Sequence, residues 1–339
     1  MKTEQVRGLT SLSDNLLAVA VVLVIVIGLT GAALSFWYVP SSQPLRTADG
    51  RGLTILTQSR IDSIGGFVDT LRATPQMPRT ATARSSDIVP SQAQASIRVD
   101  VQNAPAGGIV RRIHAGASDV LLVVLVILCC LLVVEGRYAR QPSTWQRLVV
   151  MTLLVLAGGW TGRILVDDVY AEISRRVMAH ELSQSPFGSA VARLLGVESG
   201  GVRLARTAIV HVLLIGVLTL YFSLRGWRTL WDGINKPLTL GISAFGIAAG
   251  YAIGYADWGV RDAVQGLHGT EKVTPWWGIQ PLRAWTQWIG TELTGYLVIA
   301  GVVAAMMLPL WYSRTSRRTV TVLCLALAGL LLMGLLFGN

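Results

Sequence analysis

From Val120 to Val134 the chain runs for 15 residues without a charge or a hydrogen-bonding amide. A helix built from such a stretch is apolar all round. It has no polar face to offer water and is stable only in a protein interior or in lipid. Comparable apolar runs lie at roughly 16–38, 119–136, 147–166, 206–224, 238–256, 290–312 and 318–337. Each is close to the ~20 residues that a helix needs to cross the bilayer core. Within a bilayer every backbone amide must be satisfied internally, so runs of this length imply helices. The expected fold is an all-α polytopic membrane protein with about seven transmembrane helices.

Only 14% of the 339 residues are charged, against about 25% in soluble domains. The net charge is +10. In a polytopic chain a basic balance reports orientation, and without a basic run interleaved with aromatics it does not point to nucleic acid. Arg137, Arg140 and Arg147 follow the second run, Arg225, Arg228 and Lys236 the fourth, and Arg314, Arg317 and Arg318 the sixth. All three groups fall on the side of Lys2 and Arg7, which is therefore expected to be cytoplasmic. The connections 39–118, 167–205 and 257–289 then face outward, as does the C-terminus. This fits a bacterial-type inner membrane.

The first run could serve as a cleaved leader, with Gly31-Ala32-Ala33 near its end. Its apolar stretch exceeds the 7–15 residues typical of such leaders, so it is read as a span. The segment 45–95 is rich in Ser, Thr, Gln and Pro. It carries one amphipathic patch at Ile61, Ile64, Phe67, Val68 and Leu71, spaced for a short surface helix. Cys129, Cys130 and Cys324 sit in apolar runs with no metal-binding or haem-attachment spacing, and read as packing residues.

There are four histidines, His114, His180, His211 and His268. His114 stands at the entrance to the second run and His211 about a turn into the fourth. Both runs start on the outer side, so the two imidazoles lie at similar depth. An ionisable residue in a span is expensive and is a functional candidate by default. Two imidazoles on facing helices can grip a cofactor between them. The competing reading is that each donates to a neighbouring carbonyl and simply packs. His180 and His268 lie in outer loops, where solvation or partner contact is expected.

Residues 107–118, GGIVRRIHAGAS, resemble the cytochrome b pattern G-W-L-x-R-x-x-H-A-N-G-A-S, which opens that family's second helix. Residues 29–38, LTGAALSFWY, are similar to its L-T-G-x-x-L-A-x-x-Y, and 206–211, RTAIVH, to its fourth-helix segment. Residues 274–281, TPWWGIQP, resemble the quinol-site motif P-E-W-Y-x-x-P, and Leu308-Pro309 with Arg317-Arg318 resembles the loop between the last helices. Order and sidedness agree from about 20 to 335.

The resemblance implies a cytoplasmic N-terminus at 1–15, a four-helix haem-binding half at 16–225 with a long outer loop at 39–118, and a three-helix quinol-site-like half at 226–339. It implies that His114 and His211 ligate the iron of a b-type haem, with Arg111 at a propionate and Gly31 and Gly162 against the haem faces. Pro275, Trp276, Trp277 and Pro281 would form the quinone-site-like segment.

The chain departs from the family on the inner side. The family carries a second histidine 14 residues after each first one, which separates two haems by roughly 20 Å. Here those positions are Leu128 (or Ile127, allowing for a one-residue gap) and Arg225. The family's inner glycines are replaced by Leu17 and Leu148. Histidines and glycines are thus absent together on one side and present together on the other, as expected for one haem. The family's quinol-site acid falls at Trp276 and its tyrosine at Gly278. Asp167, Asp168 or Glu271 could supply a replacement base, or all three are ordinary loop carboxylates.

The expected function is a membrane electron-transfer subunit of a quinol/quinone oxidoreductase complex, passing electrons between quinone and an outer-side partner. That partner could be a Rieske-type iron–sulfur protein, a c-type cytochrome or a larger oxidoreductase. A non-catalytic, cytochrome b-like anchor is the alternative.

Overall fold

The computed structural model describes residues 2–46, 53–55, 80–82, 90–184, 188–197, 203–225, 234–253 and 280–311. The architecture is helical. The exception among these residues is a short antiparallel pair, β1 (Leu53–Ile55) with β2 (Thr80–Thr82), within the long outer connection. Helix α1 (Lys2–Ser35) is followed by α2 (Gln92–Ala95), which runs into a π-helical turn at Ser96–Val101. Then come α3 (Gly107–Glu135), α4 (Arg137–Arg140), α5 (Pro142–Ile164), α6 (Val169–Ser183) and α7 (Gly188–Leu195). Helix α8 (Arg203–Leu224) is continuous through a π-helical turn at Val210–Gly216. Helices α9 (Lys236–Ile253), α10 (Gln280–Ile289) and α11 (Thr291–Trp311) complete the described chain.

Among the described residues, four helices are long and apolar enough to cross a membrane: Leu12–Ser35 of α1, then α3, α5 and α8. They coincide with the first four expected spans and make the protein an all-α polytopic membrane protein. Helices α9 and α11 fall on the fifth and sixth. The seventh, 318–337, and the amphipathic patch at 61–71 lie outside the described residues.

Boundaries differ from expectation where hydropathy is a poor guide. Helix α3 begins at Gly107, twelve residues before the expected span, so the connection 39–118 ends earlier and His114 lies inside a helix. The extension carries Arg111 and Arg112, charges that an apolar window rejects but that an outer helix end tolerates. At its other end α3 stops at Gly136, whose φ of 67° suits a residue without Cβ. Pro142 then starts α5 at a position where its missing N–H costs no hydrogen bond.

The core of the bundle is formed by α1, α3 and α5. Val19, Ala20, Leu23 and Val24 of α1 pack with Leu121, Leu125, Leu128 and Leu132 of α3 and with Leu148, Met151 and Val155 of α5. Since lipid is as apolar as leucine, van der Waals fit holds such helices together more than escape from solvent does. Small residues permit a close crossing of α3 with α9. A Cβ on Gly250 would lie 2.6 Å from the Gly116 carbonyl oxygen.

The helix ends near the start of α1 are tied by polar side chains. The Ser13 hydroxyl donates to Glu135 at 3.0 Å, Arg137 pairs with Asp14 at 2.8 Å, and Asn15 Oδ1 accepts from the Asn235 amide and the Thr239 hydroxyl. At the outer ends, the Tyr38 hydroxyl donates to the Leu165 carbonyl at 2.8 Å and so joins the end of α1 to the end of α5.

Candidate functional site

His114 is the eighth residue of α3 and His211 the ninth of α8. At ~1.5 Å per residue both lie roughly 10–12 Å from their helix starts, and the two rings meet. Their centroids are 6.3 Å apart with planes inclined at 68°. His211 sits in the π-helical turn of α8, a local widening that is common at functional sites.

The hydrogen bonds determine which nitrogen of each ring is available. The Thr30 hydroxyl donates its one proton back along α1, to the Val26 carbonyl at 2.7 Å. It therefore accepts at its 3.2 Å contact with His114 Nδ1, which also donates to the Ile27 carbonyl at 3.1 Å. The Thr161 hydroxyl likewise donates to the Ala157 carbonyl at 2.7 Å and accepts from His211 Nδ1 at 2.9 Å. Both imidazoles are thus Nδ1–H tautomers, and each Nε2 carries a free lone pair. Neither Nε2 has a hydrogen-bond partner among the described residues.

Glycines make the space. A Cβ at Gly31 would stand 2.9 Å from His114 Cε1, and one at Gly162 would stand 3.0 Å from His211 Cε1. Any larger residue at either position would push the imidazole from its place. In this arrangement the glycines clear room for the two rings, rather than for a haem face alone. The histidine-bearing helices α3 and α8 each have a neighbour, α1 and α5 respectively, that contributes a Thr-Gly pair.

The donor set fits a bis-imidazole iron. Metal–imidazole bonds of about 2 Å on opposite faces of one metal place the ring centroids roughly 6 Å apart. Distance alone does not select a metal, because an edge-to-face ring pair falls in the same range. The two Nε2 lone pairs are the atoms with which this pair could hold a metal. Two nitrogens also suit a group that brings its own equatorial ligands. Among the described residues no cluster of three or more metal-binding side chains occurs.

Arg111 lies three residues before His114 on α3 and is partly buried. Fourteen residues inward of the histidines and glycines the bundle is closed. Leu128 and Leu148 are almost wholly buried in the core, and Leu17 packs against them. Of the two residues, Leu128 is buried and Ile127 exposed. Arg225 is exposed at the inner end of α8, where its carbonyl accepts from Arg147.

Asp167 and Asp168 lie between α5 and α6. Asp168 is fully buried. One of its oxygens pairs with Arg163 at 3.0 Å and the other caps α6 by accepting from the Ala171 amide at 2.8 Å. Asp167 occupies the left-handed region with φ 53° and contacts Arg203 at 3.4 Å. Burial pushes its carboxyl above the usual carboxylate range, and the Ser91 hydroxyl and Arg203 only partly oppose that rise. Nearby, Glu172 of α6 pairs with Arg175 at 2.6 Å and with Arg176 at 2.8 Å.

His180 is exposed on α6, its Nε2 3.0 Å from the Gln184 amide nitrogen. Pro281 lies in α10. Pro275, Trp276, Trp277, Glu271 and His268 lie outside the described residues. Sequence reasoning passed over Thr30 and Thr161 as functional residues. The available signal was the same dipeptide, Thr-Gly, at equivalent positions on two spans.

No family model and no curated relative matches the chain. Among solved structures, a chain from one described as a hyperthermophilic respiratory Complex III is similar to it in fold. The TM-score is 0.61, over 95% of this chain and 87% of that one, at 13% sequence identity.

Proposed function

We propose that this chain is the membrane electron-transfer subunit of a redox complex, with a single b-type haem held by His114 and His211 near the outer face. The observation that carries the reading is the pair of imidazoles 6.3 Å apart, each with Nδ1 tied to a neighbouring helix. The fold likeness to a chain of a respiratory Complex III supports the same class of assembly. When bound, haem supplies a one-electron couple. The chain binds it through two Nε2 atoms, orients both rings through Thr30 and Thr161, and leaves room through Gly31 and Gly162. Arg111, a turn outward, is placed to meet a propionate.

Quinone in the membrane and an outer-side partner are the proposed donor and acceptor. The partner would be a Rieske-type iron–sulfur protein, a c-type cytochrome or a larger oxidoreductase. Leucines close the inner half, so no second haem would carry electrons toward the cytoplasmic side, and a bifurcated quinone cycle would not run. The membrane would be an inner membrane, with the N-terminus inside and the C-terminus outside.

A second reading, that of a non-catalytic anchor docking a redox partner, is favoured by Asp168. One of its oxygens pairs with Arg163 and the other caps α6, which gives this carboxylate a structural role.

The test is a pyridine-haemochrome assay with a reduced-minus-oxidised spectrum of the purified protein, its His114→Ala variant and its His211→Ala variant. A low-spin b-type spectrum lost or converted in both variants is expected. An unchanged spectrum in both would mean that the ligands lie elsewhere. Rapid reduction by a quinol separates the electron-transfer subunit from the anchor, which would respond to dithionite alone.

A further inference from the structure

Thr30 and Thr161 stand in equivalent places. Each precedes a glycine that faces the partner imidazole, each donates its own proton to a carbonyl of its own helix, and each then accepts from an Nδ1–H on the next helix. A hydroxyl of this kind could have been satisfied by its helix carbonyl alone, as the Thr152 hydroxyl is on α5 by donating to the Leu148 carbonyl. In Thr30 and Thr161 the oxygen does a second thing: it faces the histidine and accepts.

We infer that Thr30 and Thr161 are positioning residues that fix the Nδ1–H tautomer of both imidazoles and hold the reduction potential of the bound haem down. This rests on the haem reading above. An acceptor at Nδ1 draws the ring proton away and makes Nε2 a stronger donor to the metal. A stronger donor stabilises the ferric state, so the potential falls, and hydrogen bonding around the axial ligands is one of the protein's means of setting it. The two sites are unequal. His114 shares its proton between Thr30 and the Ile27 carbonyl, at 3.2 and 3.1 Å. The Thr161 contact is shorter, at 2.9 Å. Each ring also has a backbone acceptor, Ile27 for His114 and Gly158 for His211, so it is the shorter contact that makes Thr161 the more influential of the two.

Valine in place of threonine keeps the branched shape and removes the acceptor, whereas serine keeps the acceptor. The experiment is a redox titration of the full-length purified protein, its T30V, T161V and T161S variants, and the T30V/T161V double variant. Haem content is measured on each sample. The expected result is an upward shift of the midpoint potential in T161V, a smaller one in T30V, the largest in the double variant, and return toward the parent value in T161S. A merely structural role would change haem content or melting temperature and leave the potential in place. Valine variants with the parent potential, or valine and serine variants shifted alike, would overturn the inference while leaving the haem reading intact. A parent protein with no low-spin haem would sink the haem reading and this inference with it.

Discussion

The outer and inner halves of the four-helix bundle are built on the same helices, about 14 residues apart, and they solve opposite problems. In the outer half, glycines at 31 and 162 leave room, threonines at 30 and 161 accept hydrogen bonds, and two imidazoles face each other. In the inner half the equivalent positions are Leu17, Leu148 and Leu128, packed together with Val19, Leu23 and Leu125. A bundle keeps space and polar groups only where something occupies them, because an empty cavity loses contacts and an unmet polar atom is costly in a low-dielectric interior. The contrast teaches that the two halves are filled differently: leucines pack one, while glycines and paired imidazoles line the other.

Dense leucine packing makes the inner half the place where a truncation costs the most stability. Leu148 is almost wholly buried, so Leu148→Ala would leave a cavity. In lipid the transfer part of the loss is small and the cavity part remains. The expected destabilisation is about 2 kcal/mol, the low end of the range for buried leucine truncations. Unfolding in mixed micelles by a denaturing detergent measures it, and an unchanged midpoint would mean that the inner half is not tightly packed. Haem content of that variant should stay at the parent level.

The outer half should respond the other way. Gly162→Ala places a methyl 3.0 Å from His211 Cε1, and Gly31→Ala places one 2.9 Å from His114 Cε1. Each ring must give way by a few tenths of an ångström, which misaligns Nε2 more than it disturbs the helix. A loss of haem affinity of about tenfold, corresponding to ~1.4 kcal/mol, is expected with little change in stability. Haem titration of the apoprotein tests this, and equal affinities would show that the glycines serve helix packing instead.

The smallest effect belongs to the outer ion pairs beyond the membrane. Burial alone would raise the Glu172 carboxyl, but hydrogen bonds from Arg175 and Arg176, helped by Arg203, outweigh it and hold the group below its ordinary value of 4.5. A carboxylate lowered in the folded state stabilises it fully above that ordinary value. The contribution is lost as pH falls through the lowered one. Glu172→Gln should therefore cost less than about 1 kcal/mol at neutral pH, as expected of partly exposed pairs. The difference from the parent should shrink at the acid end of a pH series of melting temperatures. A gap that widened on acidification would contradict the assignment.

Much of this was legible because lipid imposes a simple rule. Long uncharged runs must be helices, and the first four expected spans are helices in the structure. The meeting of His114 and His211 followed from equal depth and sidedness. Less legible were features set by charge and local geometry. The outer turns of α3 carry two arginines, so hydropathy began the span at 119 instead of Gly107. Helices α6 and α7 were read as connection, since Glu172, Arg175, Arg176 and Arg193 break any apolar run. Asp168 stood open between replacement base and ordinary loop carboxylate because burial and pairing are invisible in one dimension; in the structure its oxygens meet Arg163 and cap α6. Thr30 and Thr161 escaped notice because a threonine in a span usually satisfies itself.

The contrast between the two halves comes down to how much haem one chain holds. Haem per polypeptide, by pyridine haemochrome against quantitative amino-acid analysis of the purified protein, tests it most directly. One b-type haem per chain, lost when His114 or His211 is replaced, is the expected result. Two haems per chain would contradict it: Leu17, Leu128 and Leu148 would then have to lie elsewhere, and a second pair of ligands would have to be found.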